Sequence, residues 1–91
     1  MTTIRIPAPL RPYTGGNSSV RVAGGDVAAA LADLGSQYPE LRQHLFDGDT
    51  LRNFVNLYLD KQDVNQLDGL STPLKEGDTL LIIPSIAGGR P

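Results

Sequence analysis

The chain has 91 residues, 40% of them apolar, with no cysteine and a formal net charge of −2 at pH 7. That length makes one small domain, burying about 60–65% of the surface its unfolded form exposes, too little for a deep internal active site. Mild acidity without a basic cluster argues against nucleic acid and anionic membranes as partners, and the missing thiols exclude disulfides, thiolate metal sites and a cysteine nucleophile.

Ile4-Arg5-Ile6 alternates and is followed by Pro7 and Pro9, which predicts a first strand that ends there or lies near an edge. Arg11 to Asn17 is rich in turn formers and predicts a loop. Val20-Arg21-Val22 alternates again, so the first two strands form a hairpin with a long connection. Gly24-Gly25 ends the second strand, and Asp26 can cap a helix because its carboxylate accepts from free first-turn amides. Val27, Ala30, Leu31, Leu34 and Tyr38 follow helical spacing, with alanines between them adding propensity, until Pro39 stops the helix. A short helical stretch over Pro39 to Phe46 would turn Leu41, Leu45 and Phe46 inward.

Asp47-Gly48-Asp49 predicts a turn. It lacks the further ligands and closing glutamate of a calcium loop, so turn chemistry is the reading adopted. Phe54 to Leu59 is the clearest amphipathic strand, with Val55, Leu57 and Leu59 on one face and Phe54 and Tyr58 on the other. The pair Phe54 and Tyr58 either packs under other elements or forms an exposed docking patch for a partner. Val64 would start a very short strand, and Leu67 to Leu74 an irregular connection. Glu76-Gly77-Asp78 turns the chain into a last strand, Thr79 to Ile83, whose run of four apolar residues predicts burial on both faces.

The order strand, strand, helix, strand, short strand, strand is most economically buried as a sheet covered on one face by one long helix. The expected fold is therefore α+β, the ββαββ plan of the β-grasp (ubiquitin-like) fold: a mixed sheet of four to five strands with one main helix packed on one face. Residues 1–84 form that domain and residues 85–91 a flexible C-terminal tail. No signal peptide or membrane-spanning run is present, so the default compartment is the cytoplasm. His44, the single histidine, is read as a surface position of the short helix rather than a metal ligand, and Tyr13 as a packing lid in its loop. No metal site is expected.

The tail is the most telling segment. Pro84-Ser85-Ile86-Ala87-Gly88-Gly89 follows the last strand directly, and two glycines without Cβ make a thin strip of backbone able to enter a narrow enzyme channel. Gly15-Gly16 and Gly24-Gly25 show that a diglycine alone is a weak signal; its place after a buried strand and a proline raises it. These residues, together with Phe54 to Asp60 and Glu76-Gly77-Asp78-Thr79, resemble the ubiquitin-like sulfur carriers of the ThiS/MoaD family over essentially the whole chain. Leu10 to Gly16 and Arg52 to Asn56 look most like its CysO branch.

What the resemblance implies is a protein-borne cosubstrate, not an enzyme, holding no cofactor of its own. A separate ATP-dependent activating enzyme (MoeB/ThiF-like) would adenylate the Gly89 carboxylate. A sulfur source would then convert it to a thiocarboxylate that a sulfur-accepting synthase, PLP-dependent in the CysO branch, consumes in cysteine or related sulfur-metabolite biosynthesis. Ile86, Ala87, Gly88 and Gly89 would enter the partner sites. Arg90-Pro91 departs from the pattern, since proline carries a bulky ring where the channel expects hydrogen. A processing step between Gly89 and Arg90 is therefore expected, by a JAMM-type metallopeptidase of the kind that trims family members. The free protein is expected to be a monomer.

Two other outcomes use the same tail: a ubiquitin-like modifier joined to lysines through Gly89, or the small subunit of molybdopterin synthase. A plain β-grasp interaction module with an inert tail is the third. A self-standing enzyme is the least favoured reading, because the sequence offers no nucleophile–base set or metal cluster.

Overall fold

The structure, a computed structural model, describes residues 1–48, 50–52 and 55–84. Strand β1 (Thr2–Arg5) and β2 (Ser19–Val22) pair antiparallel as expected, with Ile4 opposite Val20, so both bury their alternate apolar residues on one face. The connection between them is more regular than predicted: Ala8–Thr14 forms a 3₁₀ helix. Pro7 supplies an extended N-cap, and Gly15, at φ 65°, closes the helix. Buried Thr14 places its Oγ1 at 3.1 Å from the Arg11 carbonyl and 2.9 Å from that of Asn17, satisfying the turn from inside.

Helix α1 (Val27–Gln37) starts where Asp26 caps it, its carboxylate accepting from the Ala29 amide at 2.8 Å. Val27, Ala30, Leu31 and Leu34 face the core. The helix stops at Tyr38, whose φ of −134° and ψ of 81° lie outside the helical region that a following proline disfavours. Helix α2 (Pro39–Leu45) then buries Leu41 and Leu45. Phe46 is not part of it, contrary to the sequence expectation. It opens β3 (Phe46–Asp47), which forms a small hairpin with β4 (Thr50–Leu51), and its ring lies 5.1 Å from the Arg42 guanidinium carbon.

Strand β5 (Val55–Leu59) turns through Asp60 and Lys61, at φ 52° and 72°, into β6 (Gln62–Asp63). Both turn residues have the positive φ that a tight two-residue hairpin turn requires. Val64 belongs to no strand: it begins a 3₁₀ turn, Val64–Gln66, because the Asp63 carboxylate accepts from the Asn65 amide at 2.9 Å. A further 3₁₀ turn, Gly69–Ser71, lies in the predicted irregular connection. Strand β7 (Thr79–Pro84) closes the fold.

The main sheet has the order β2-β1-β7-β5-β6, with β1 parallel to β7 and the other neighbours antiparallel. This is the mixed β-grasp sheet, five strands with α1 on one face. Position and burial part company in β7. It is the central strand, yet from Thr79 to Ile83 only Leu80 and Ile82 are buried, while Leu81 is 40% and Ile83 38% exposed. The expectation of burial on both faces fails because the helices cover only one side of the sheet. At the other margin the free edge of β2 is clasped by α1: Asp33 Oδ2 accepts from the Ala23 amide at 2.8 Å, and Gln37 Nε2 donates to the Arg21 carbonyl at 3.1 Å. Among the described residues no helix is long and apolar enough to cross a membrane.

Candidate functional site

Of the residues singled out from the sequence, Ile86, Ala87, Gly88, Gly89 and Arg90, and likewise Phe54, lie outside the described residues. The residues leading to them are described. Strand β7 carries the chain to Pro84, and its outward side chains Leu81 and Ile83 form the middle of the helix-free face.

Cross-strand register builds the rest of that face. Tyr58 lies opposite Leu81 and Asn56 opposite Ile83 on β5, while Arg5 lies level with Leu81 on β1. Tyr58, Leu81 and Ile83 thus form an apolar centre, flanked by Arg5 on one side and by the exposed Asp60-Lys61 turn on the other. They line a shallow depression of about 390 Å³. Tyr58, predicted either to pack or to dock, does both in part: it is half-buried against its neighbours and faces outward. An exposed apolar patch with a charged rim is the form of a protein-docking surface.

Sequence reasoning missed Leu81, Ile83 and Arg5 as members of this patch. A signal was present: one long helix cannot cover both faces of a five-stranded sheet, so one side of the apolar run had to stay open.

A larger depression of about 460 Å³ opens between β4, β5 and the 3₁₀ turns. Among the described residues its one charged side chain, Arg52, is committed to the Gln43 carbonyl, which Nε and Nη2 approach at 3.2 and 3.0 Å. Nothing there suggests chemistry. His44 is an exposed residue of α2, with its ring centroid 4.0 Å from that of Tyr13, so the predicted lid packs on the predicted surface histidine. Among the described residues there is no group of three or more His, Cys, Asp or Glu side chains that could hold a metal ion.

Three comparisons place this geometry among known proteins. The ThiS family pattern matches residues 4–89. The sulfur carrier protein CysO of Mycobacterium tuberculosis is 39% identical over 90 residues, covering 96% of this chain and 97% of that protein. The small archaeal modifier protein 3 of Haloferax volcanii is 34% identical over 65 residues, 71% of this chain and 67% of that protein. In three dimensions the chain is similar to the Amycolatopsis orientalis BexX/CysO complex structure, with a TM-score of 0.88, 37% identity, and coverage of 98% of this chain and 100% of that one.

Proposed function

This chain belongs to the ThiS family, and from that premise we propose that it is a sulfur carrier that works through the carboxyl group of Gly89. The observation that carries the proposal is the family match, which runs through the diglycine to residue 89 and leaves Arg90-Pro91 beyond it.

The chemistry follows from the reactivity of a carboxylate, which is a poor electrophile. Hydrolysis of the Gly89–Arg90 peptide bond by a metallopeptidase first frees the Gly89 carboxylate. An activating enzyme joins it to the α-phosphate of ATP, releasing pyrophosphate. Sulfide then attacks the acyl carbon and AMP leaves, so the chain ends in a thiocarboxylate. A synthase uses that sulfur as the nucleophile toward its substrate, which leaves the product acyl-linked to Gly89; hydrolysis of that link by water then releases cysteine or a related metabolite and restores the Gly89 carboxylate. The protein supplies handle and address; ATP and sulfur are used in partner sites.

Two features of the fold suit this role. The apolar centre of Leu81, Ile83 and Tyr58 gives a partner something to grip on the strand that leads into the tail. The chain from Pro84 to Gly89 can reach at most about 17 Å, so a partner's reacting centre must lie within that distance of where β7 ends. That a CysO protein has been crystallised in complex with BexX fits a carrier that docks on other proteins.

Likeness to a small archaeal modifier protein favours one second reading, conjugation of Gly89 to a lysine amine from the same acyl-adenylate. Intact-mass analysis separates the outcomes. The 91-residue protein is incubated with its activating enzyme, ATP, sulfide and a cell extract containing the peptidase. The expected product has lost Arg90-Pro91 and exchanged one oxygen for sulfur. An adenylate or thiocarboxylate on the uncut chain would overturn the processing step. Isopeptide-linked adducts that vanish on deletion of Gly89, with no thiocarboxylate, would replace the carrier reading by the modifier reading.

A further inference from the structure

One register row crosses the outer face of the sheet: Arg5 on β1, Leu81 on β7, Tyr58 on β5 and Asp63 on β6. It reads cation, apolar, apolar, anion. Arg5 is exposed and forms no ion pair among the described residues. Asp63 engages the Asn65 amide through Oδ1, which leaves Oδ2 for another donor. The same polarity continues beside the row. Exposed Arg21 lies on β2 opposite Thr3, and exposed Asp60 sits in the β5–β6 turn on the other flank.

Such a row is complementary to itself. A half-turn about an axis parallel to the strands, between β7 and β5, lays Arg5 of one copy over Asp63 of another and Leu81 over Tyr58. We propose that this face is the contact of a weak, two-fold symmetric dimer formed with a second copy of the chain. The symmetry makes the interface isologous, so each Arg5–Asp63 pairing occurs twice around one apolar centre. Face-to-face sheets pack with their strands within about 30° of each other, which lets the central side chains of the two copies interdigitate.

Area sets the strength. The five strands run from two to six residues; at about 3.3 Å per residue and about 4.8 Å between strands they offer on the order of 330 Å² per copy. The total of about 660 Å² is below the roughly 1,200–2,000 Å² of stable interfaces, so the dimer forms only at high concentration and exchanges rapidly. Lys61 weakens it further. Exposed beside Asp60, it puts a cation on the flank that the partner's arginines approach. The association covers the patch assigned above to partner enzymes, but it stands apart from that reading, because its test contains no enzyme.

Sedimentation velocity on the 91-residue protein, from about 10 μM to about 1 mM, reads the association directly. The expected result is a monomer at the low end and a weight-average mass climbing toward the dimer in the upper decade, less steeply in high salt. Arg5→Glu and Leu81→Asp each weaken the association at least tenfold. Lys61→Glu strengthens it several-fold, a gain that a merely misfolded variant cannot give. A monomer throughout the range overturns the proposal, as does self-association that Arg5→Glu and Leu81→Asp leave unchanged. Association lost on deleting residues 85–91, with the face intact, assigns the contact to the tail and equally overturns it.

Discussion

Gly24 and Gly25 are indistinguishable as sequence, two small residues between a strand and a helix cap, yet their surroundings differ. A Cβ on Gly24 would lie 2.6 Å from the Ala30 amide nitrogen and 2.9 Å from the Ala29 carbonyl carbon, whereas one on Gly25 meets nothing within 4 Å. The Gly24 contact is with helix backbone, which cannot swing aside as a side chain would. Gly24→Ala is therefore expected to destabilise the protein by about 1–3 kcal/mol through overpacking. Gly25→Ala, which only restricts the unfolded chain, should be neutral or stabilising by up to about 1 kcal/mol. Urea titrations compare the two as a lower midpoint against an unchanged or higher one, at constant slope. At this scale Asp26 was fully legible, because a capping carboxylate acts on amides two and three residues away. The distinction between the glycines was not, because it depends on how a distant helix approaches.

At the scale of elements, β7 shows how far pattern reading reaches. Its existence and bounds follow from the apolar run after Glu76-Gly77-Asp78, but the run is apolar at every position, so alternation could not reveal which residues face the helix. The structure sorts them, and stability measurements should reproduce the sorting. Ile82→Ala removes a fully buried side chain and should cost about 2–5 kcal/mol. Leu81→Asp, on the open face, should cost no more than about 1 kcal/mol. Equal losses in thermal or urea unfolding would mean that the outer face is covered by something belonging to the folded monomer. Two other elements escaped the sequence reading for a related reason. The 3₁₀ helix over Ala8–Thr14 rests on Thr14 buried beneath its turn, and the β3–β4 hairpin on Phe46 meeting Leu51, both tertiary facts.

For the whole molecule, the sequence order of strands and helix was enough to identify the β-grasp plan, and the diglycine that the family match reaches was legible as a motif. The sheet order was not, since nothing local announces that the first strand pairs with the last. That pairing organises the fold. Thr3, Ile4 and Arg5 lie level with Thr79, Leu80 and Leu81, the Gly77 amide donates to the Met1 carbonyl at 3.1 Å, and the Met1 ammonium pairs with Glu76. Deleting residues 1–6 removes Ile4 and Ile6 from the core and leaves one side of β7 without its partner. We expect this truncation to abolish cooperative unfolding, read as a missing thermal transition by circular dichroism. A sharp transition in the truncated chain would mean that the β7–β5 half folds unaided.

The placement of β7 between β1 and β5 also has a mechanical side. Hydrogen bonds between strands run across them, so a pull along β7 from its Pro84 end does not peel those bonds one at a time. It loads them together, in shear, on both flanks: against β1 over residues 79–81 and against β5 over residues 80–84. A protein that hauls on this end of the chain therefore works against both pairings of the central strand at once. Tension applied there is passed to the whole sheet instead of unravelling its last strand.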